Sequence, residues 1–360
     1  MFSVLKKIIR QFVLRGFLKG VSMNYTVNQN SDIYYKNTYW NDIRQVNEFM
    51  NIRVSGEKEK NGYRFFQDLT GKRKFNKALM LNCGNGCWER ELFDIGLINE
   101  AVGIDYSESL IAEAGNHAGG RPFRYYVMDT NTVAFPETGY DLVVNHAAAH
   151  HIAYINKVFQ KIAELLPEDG YFVSMDFVGP HRNQYPRKQW NAAMALNQAL
   201  PEHIRQDLRY PHLPTMLVTD PTEAIHSELI VETMNRFFHV DHHRKIGGAL
   251  AYLLLTFNDN IFKAGEVERE KWVQFILEED GKYLSQNPLS SMFDFLVARP
   301  NKEILKNEKK LAVFQAAEDK REEYAAKNNG LYYELVDTRP PHRQFLSGLK
   351  KAVKNFLRMS

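Results

Sequence analysis

The residues with the clearest chemical potential follow a short apolar run at positions 78–81. Gly84 and Gly86 come directly after this run and precede a helix-like segment that starts near residue 87. Glycines in such a turn let a ligand approach the backbone closely, and they tolerate a positive φ. Two glycines alone would also fit an ordinary tight turn. The turn becomes informative only together with the polar residues that follow it.

Acidic and amide residues end the next three apolar runs. Asp105 lies nineteen residues after Gly86, Asp129 follows the third run, and Asn145 ends the fourth. A carboxylate at Asp105 can accept hydrogen bonds from both ribose hydroxyls of a nucleoside, and one at Asp129 can meet an adenine amino group. A nicotinamide dehydrogenase is disfavoured, because Glu89 stands where its third glycine is required. The order of these residues therefore predicts a nucleoside site that is not a dinucleotide site.

Apolar runs alternate with helix-like segments from residue 77 onward, which predicts a parallel sheet with helices on both faces. The predicted strands are 78–81, 101–104, 125–128, 142–144, 171–175, 240–244 and 249–257. The predicted helices are 41–53, 87–95, 107–115, 152–166, 188–199, 227–238, 265–280 and 301–327.

Four segments resemble the class I S-adenosylmethionine-dependent methyltransferases, within a similarity that runs from about residue 39 to 261. Residues 81–86 (LNCGNG) resemble their glycine-rich first motif, 146–152 (HAAAHHI) the segment after their fourth strand, and 165–173 (LLPEDGYFV) the turn into their fifth strand. Residues 176–186 (DFVGPHRNQYP) are similar to one bacterial branch that often accompanies cell-surface polysaccharide genes. The resemblance implies an α/β fold: a Rossmann-like, seven-stranded, mostly parallel sheet with helices on both faces and helical extensions at both ends.

The resemblance also implies S-adenosylmethionine as the cofactor and gives roles to matching residues. Asn82, Gly84 and Gly86 would shape the methionyl and sulfonium pocket, and Asp105 would hold the ribose. The remaining cofactor-binding residues implied are Tyr106, Asp129 and Thr130 near the nucleoside, and Asn145 near the methionyl amine. Two positions depart from the family pattern: Met80 stands where an acid is usual, and Asn82 where a first glycine is usual. Asn tolerates a left-handed backbone better than most residues, so the second change is mild.

Catalytic candidates follow the fourth and fifth predicted strands. Methyl transfer to a hydroxyl benefits from a general base, whereas an amine needs only to arrive deprotonated. His150, His151 and Asp176 are the candidates, although His151 could instead cap a helix and Asp176 could only orient the following loop. His146 and His150 have a spacing that zinc accepts on a helix, but no third ligand is specified, so no metal site is predicted.

The acceptor is expected to contact the segment after the fifth predicted strand. His181, Arg182 and Tyr185 are the predicted substrate-binding residues, and a basic residue there would suit an anionic acceptor such as a sugar phosphate. A solvated loop is the alternative interpretation. The expected reaction is O-methylation of a glycan or lipid-linked sugar at the cytoplasmic membrane face. Two alternatives stay open: N-methylation of a soluble amine or amino sugar, and a non-catalytic partner with this fold.

The 360-residue chain has a formal net charge of +3, which conceals an acidic body between two basic ends. Residues 1–20 carry +5, residues 338–360 carry +6 and residues 21–337 carry −8. Each end spaces its apolar residues as an amphipathic helix does. The ends could pack on the body or lie on an anionic membrane surface, and a transit peptide could explain the first end alone. An acidic body argues against nucleic acid as a partner.

Cysteine usage and hydropathy bear on the compartment. Cys83 and Cys87, the two cysteines, form no C-x-x-C pair, so a disulfide framework and a cysteine-based zinc site are both excluded. No apolar run has the length of a signal peptide or a membrane span. We therefore expect a cytoplasmic protein, peripheral to the inner membrane face if its ends bind lipid. The sequence leaves the oligomeric state open.

The predicted organisation has five parts. They are a basic amphipathic helix at 1–20, a helical cap at 21–75, the S-adenosylmethionine-binding domain at 76–261 with an inserted cover at 179–225, a charged helical extension at 262–337, and a basic amphipathic helix at 338–360.

Overall fold

A computed structural model describes residues 38–213, 216–217 and 220–328 of the chain. Both basic amphipathic ends, 1–20 and 338–360, lie outside these residues, so the predictions for them stay predictions. None of the helices in the described ranges combines the length and the apolar composition that a membrane crossing requires.

Seven strands form one sheet at the centre of the described structure. They are β1 (Phe75–Leu81), β2 (Ile98–Asp105), β3 (Phe123–Val127), β4 (Leu142–His146), β5 (Tyr171–Phe177), β6 (Phe238–Gly247) and β7 (Phe293–Pro300). Their order is β3-β2-β1-β4-β5-β7-β6; β7 runs antiparallel to both of its neighbours, β5 and β6, and the four other neighbouring pairs are parallel. The α/β fold class and the seven-stranded, mostly parallel sheet are confirmed.

Twelve α-helices of the described residues surround the sheet. They are α1 (Arg44–Ser55), α2 (Gly62–Leu69), α3 (Cys87–Asp94), α4 (Glu108–His117), α5 (Ile155–Leu165), α6 (Arg187–Ala199), α7 (Ile230–Phe237), α8 (Ala251–Leu255), α9 (Asp259–Lys263), α10 (Glu266–Gln286), α11 (Lys302–Leu305) and α12 (Glu308–Lys327).

Apolar side chains fill both faces of the sheet. One buried cluster lies under α1, α2, α6, α8 and α10, and a second lies under α5 and α7. β4 shows why the strands read as continuous apolar runs: residues 142–145 are all buried. A strand covered on both faces cannot alternate polar and apolar residues, because neither face meets water. The sheet is therefore a rigid layer whose carboxyl edge can position polar groups.

The last predicted strand, residues 249–257, was wrong. Its central part is the helix α8, and the seventh strand is β7, inside the segment 262–337 that was predicted to be helical. The carboxylate of Asp280 on α10 accepts hydrogen bonds from the backbone N–H groups of Gly248 (3.0 Å), Leu250 (2.6 Å) and Ala251 (3.0 Å). A carboxylate from a distant part of the sequence thus caps the start of α8. No pattern within residues 249–257 indicates this contact.

Candidate functional site

The turn between β1 and α3 has the backbone shape that its sequence predicts. Asn82, Gly84 and Gly86 all have positive φ, at 43°, 56° and 73°. A Cβ on Gly86 would lie 2.6 Å from the Tyr125 hydroxyl oxygen, so only glycine fits there. Asn82 accepts the left-handed backbone in place of the family's glycine. The turn therefore has the left-handed backbone that its glycines and Asn82 tolerate, at the carboxyl end of β1.

Asp105, at the end of β2, is held by this turn. Its Oδ2 accepts a hydrogen bond from the Gly84 N–H (2.9 Å), and its Oδ1 accepts one from the Ser107 N–H (2.8 Å). Burial raises the pKa of Asp105, and the two N–H donors oppose that shift. Tyr106, the next residue, is 60% exposed, so much of this side chain faces solvent beside the predicted binding edge.

Asn82 joins the three loops that follow β1, β3 and β4. Its Nδ2 donates to the Ala148 carbonyl (3.2 Å), and its Oδ1 accepts from the Thr130 hydroxyl (2.5 Å). Asp129 caps the short turn that contains Thr130, because its Oδ1 accepts from the Asn131 N–H (2.9 Å). The predicted cofactor residues therefore lie along one edge. Thr130 is buried and its hydroxyl is engaged by Asn82, so its assignment to adenine stays a prediction.

Asp176 organises the edge between β4 and β5. Its carboxylate accepts hydrogen bonds from the Asn145 amide (2.8 Å), from the backbone N–H groups of Ala148 (3.2 Å), Ala149 (2.7 Å) and Phe177 (2.7 Å), and lies 2.6 Å from His150 Nδ1. Asn145 is fully buried, so its side chain fixes the loop, and its predicted carbonyl contact with the cofactor stays a prediction.

His150 and His151 lie next to each other at this edge, with ring centroids 4.2 Å apart. Burial alone would lower the pKa of His150, but the Asp176 carboxylate raises it to about 9. The pKa of His151 is lowered by burial and by its neighbour His150. His151 also acts electrostatically on Asp105, so it lies near the predicted cofactor-binding residues. The structure thus brings the three predicted catalytic residues together beside the predicted cofactor edge.

Glu223 was missed by the sequence analysis, yet it completes this group. Its Oε2 lies 3.7 Å from His150 Nε2 and 3.9 Å from His151 Nε2. Asp220 forms the turn that carries it, because Asp220 Oδ1 accepts from the N–H groups of Thr222 (3.0 Å) and Glu223 (3.1 Å). Glu223 lies more than seventy residues after the histidines in an irregular segment, and nothing in its local sequence marks it.

The three predicted substrate-binding residues are buried. The Arg182 guanidinium donates to the carbonyls of Pro221 (2.6 Å) and Glu223 (3.1 Å). His181 Nδ1 donates to the Ile225 carbonyl (2.7 Å), and Tyr185 is 3% exposed. The Arg182 and His181 side chains therefore brace the segment that carries Glu223. Their contact with an acceptor stays a prediction.

A second pair missed by the sequence analysis couples α2 to the end of β4. Tyr63 Oη lies 2.8 Å from His146 Nδ1, and the His146 ring stacks on Trp88 with centroids 3.7 Å apart. Burial lowers the pKa of His146 to about 3, so the ring is neutral. His146 therefore belongs to this aromatic cluster rather than to a metal pair with His150.

Glu89 is fully buried behind the glycine turn. A Cβ on Gly103 would lie 2.6 Å from its Oε1, so β2 makes room for the carboxyl group with a glycine. Burial raises the pKa of Glu89 to about 7, because the carboxylate loses its hydration. The ionised form therefore destabilises the fold, and this penalty appears as pH rises from the unfolded value near 4.5 through about 7.

We expect Glu89→Gln to raise the free energy of unfolding by about 2–3 kcal/mol at pH 8 and by little at pH 4.5, because the shifted pKa is linked to stability. Urea unfolding at the two pH values measures the difference. Glu59→Gln, at an exposed position of the loop between α1 and α2, is the control and should change stability little at either pH. An effect of Glu89→Gln that is equal at both pH values would contradict the assignment.

One family model matches the edge just described. Residues 79–174 match a family described as "Methyltransferase domain", a range that begins in β1, ends in β5 and contains the glycine turn and Asp105. This match supports a methyltransferase domain in this part of the chain, with S-adenosylmethionine as the expected cofactor of the edge.

Curated relatives are similar to the same region. Methyltransferase YcgJ of Bacillus subtilis is 22% identical over 149 residues, which cover 35% of this chain and 59% of the relative. EEF1A lysine methyltransferase 4 of Mus musculus is 24% identical over 162 residues, which cover 38% of this chain and 63% of the relative. The chain thus spans about three fifths of the length of these relatives.

Solved structures align over more of the chain. An S-adenosylmethionine-dependent methyltransferase from Mesorhizobium loti aligns with 63% of this chain and 91% of its own, at 16% identity and a TM-score of 0.39. The YcgJ structure aligns with 66% of this chain and 97% of its own, at 16% identity and a TM-score of 0.39.

The residues at the edge fit the cofactor. Asp105 offers a fixed carboxylate to the ribose hydroxyls, and the Gly84 N–H holds that carboxylate in place. The exposed Tyr106 ring can cover the nucleoside. Met80, which stands where the family usually has an acid, is buried in β1 and adds no carboxylate to this edge.

Proposed function

We propose that the chain transfers a methyl group from S-adenosylmethionine to a hydroxyl oxygen of a glycan acceptor. The observation that carries the proposal is the group formed by His150, His151, Asp176 and Glu223 at the carboxyl ends of β4 and β5, beside the cofactor edge. A hydroxyl must lose its proton during methyl transfer, so it needs such a polar group, whereas an amine that arrives unprotonated does not.

Bound cofactor would supply an electrophilic methyl group on a sulfonium, and the residues around it would do the rest. Asp105 and the glycine turn would fix the nucleoside end, so that the methyl carbon meets the acceptor oxygen about 3 Å away. The acceptor oxygen forms its bond to the methyl carbon as the carbon–sulfur bond breaks and its electron pair stays on sulfur. The proton of the hydroxyl would leave toward the His151 ring, whose lowered pKa keeps it neutral, because His150 beside Asp176 has a pKa of about 9 and already holds its proton.

The glycan part of the proposal rests on residues 176–186 and their similarity to the polysaccharide-associated branch. A lipid-linked sugar at the cytoplasmic membrane face would also give the two basic ends a purpose, because they carry +5 and +6 beside an acidic body. Both basic ends lie outside the described residues, and they support this location only through their sequences.

N-methylation is the second candidate, because one relative carries the name lysine methyltransferase. That similarity covers 38% of this chain. Another relative matches 35% of this chain and is named only as a methyltransferase, without a substrate. The polar group at β4 and β5 favours oxygen over nitrogen.

The test uses the full chain with S-adenosylmethionine carrying a tritiated methyl group. Two sets of acceptors are compared. The first contains lipid-linked sugars and sugar nucleotides whose nucleophilic groups are hydroxyls only. The second contains the matching amino sugars and a protein substrate. We expect label in the hydroxyl-only set, as a methyl ether identified by mass spectrometry. Transfer to amines alone would overturn the proposal.

A further inference from the structure

Three potential metal ligands meet at one point of the edge between β4 and the segment 220–225. His150 Nε2, His151 Nε2 and one Glu223 carboxylate oxygen all lie within 4.8 Å of one another among the described residues. The two nitrogen–oxygen distances, 3.7 Å and 3.9 Å, exceed a hydrogen bond. A point equidistant from three atoms spaced this way lies about 2.0–2.5 Å from each, a range that includes the usual metal–ligand distances for nitrogen and oxygen.

Each of the three ligands is held through its other polar atom. His150 Nδ1 lies 2.6 Å from Asp176 Oδ1, and His151 Nδ1 lies 3.1 Å from the Thr222 hydroxyl. Glu223 Oε1 accepts from the Asn183 side-chain amide (3.2 Å). Metal-binding histidines and carboxylates characteristically have such outer partners, because these fix the ring orientation and leave the ligating atom directed inward. Here the arrangement occurs at all three positions.

The charge around the group favours a cation. Asp176 and Glu223 carboxylates flank the two rings, and Asp220 acts on both rings electrostatically. His150 is 7% exposed and Asp176 is 1% exposed, so solvent screens these charges weakly. One buried carboxylate, Asp176, and two partly buried ones, Glu223 and Asp220, therefore act on the two rings.

We propose that His150, His151 and Glu223 bind one divalent transition-metal ion of the kind that prefers imidazole and carboxylate ligands, such as zinc, cobalt or iron(II). Sequence spacing pointed to His146 and His150 and specified no third ligand. The fold instead turns His146 toward Tyr63, places His151 beside His150, and brings Glu223 from a distant segment.

The chemical role of the ion rests on the proposed function, whereas the binding of the ion does not. It would lie on the acceptor side of the cofactor edge, where a coordinated hydroxyl would have a lowered pKa and would release its proton to solvent. In that state His150 and His151 are ligands rather than proton acceptors.

A second group of possible ligands lies nearby and serves as an internal comparison. His181, His226 and Glu228 also come within 4.8 Å of one another. Arg182 acts electrostatically on both of those histidines and opposes a cation there, whereas it meets the Glu223 segment through the backbone carbonyls of Pro221 and Glu223. We therefore assign the ion to the group with Glu223.

The test is titration of the full chain, stripped with a chelator, with Co²⁺ at pH 7.5, followed by calorimetry and by visible absorption of the bound ion. We expect one ion per chain with an imidazole-coordinated spectrum. Glu223→Gln and His151→Asn should each weaken binding by at least about tenfold, and Thr222→Val, which removes an outer partner, by about tenfold.

His203→Asn is the matched control, because His203 forms an exposed pair with Glu268 at 2.8 Å. His226→Asn tests the second group, and both variants should bind Co²⁺ as the wild type does. Binding of S-adenosylmethionine by every variant shows that it is folded. Absence of Co²⁺ binding at millimolar concentration, or loss in His226→Asn with retention in Glu223→Gln, would overturn the proposal. Methyl transfer to amines alone would overturn the proposed function and leave the Co²⁺ result unchanged.

Discussion

Replacing Asp176 by alanine is expected to lower the free energy of unfolding by about 3–5 kcal/mol, because a buried charge pair loses one partner and several donors lose their acceptor. The carboxylate is 1% exposed and accepts from three backbone N–H groups and the Asn145 amide. Without it, the Ala148 N–H and the His150 ring lie buried beside a cavity, while the Ala149 N–H keeps the Asn145 Oδ1 as its acceptor (2.8 Å).

Urea unfolding of the full chain measures this effect. Asp169→Ala is the control, since Asp169 is exposed and pairs with Arg73 at the surface, where ion pairs contribute about 0–1 kcal/mol. Asp176→Asn keeps the shape and part of the acceptor capacity, so its loss of stability should be intermediate. A loss below about 1 kcal/mol in Asp176→Ala would show that other groups hold the β4 loop.

The second large effect is expected on cofactor affinity. Asp105→Ala should weaken S-adenosylmethionine binding by about 100-fold, because two hydrogen bonds between a carboxylate and the ribose hydroxyls are lost. Equilibrium dialysis with labelled cofactor measures the change. Asp94→Ala, in an exposed pair with Arg121, should bind as the wild type does.

Asp105 also holds the glycine turn through Gly84, so the alanine variant alone cannot separate ribose binding from turn geometry. Asp105→Asn supplies the separation, since its amide oxygen can still accept from one of the two N–H groups. We expect an intermediate affinity for it. Wild-type affinity in both variants would contradict the role of Asp105.

The cofactor edge was readable from the sequence because local rules determine it. A buried strand, two glycines and a carboxylate at the end of the next strand stay close in the sequence and in space. The glycines adopt the positive φ that their type suggests, and Asp105 meets Gly84 where parallel strands share an edge. The same locality made the first five strands recognisable, with errors only at their ends.

Long-range contacts decide what could not be predicted. Asp280 caps α8 from a helix about thirty residues away, so an apolar run that reads as a strand becomes a helix. Glu223 reaches the two histidines only because Asp220, Arg182 and Asn183 shape its segment. Neither position carries a pattern that distinguishes it from an ordinary surface acid.

The central claim is that S-adenosylmethionine binds at the edge formed by β1, β2 and β3. Ultraviolet crosslinking of tritiated S-adenosylmethionine to the full chain, with peptide mapping, tests it most directly. We expect label in peptides from residues 79–106 or 123–133, and its loss when S-adenosylhomocysteine competes. Label confined to other peptides, or label that the competitor does not reduce, would show that the cofactor binds elsewhere.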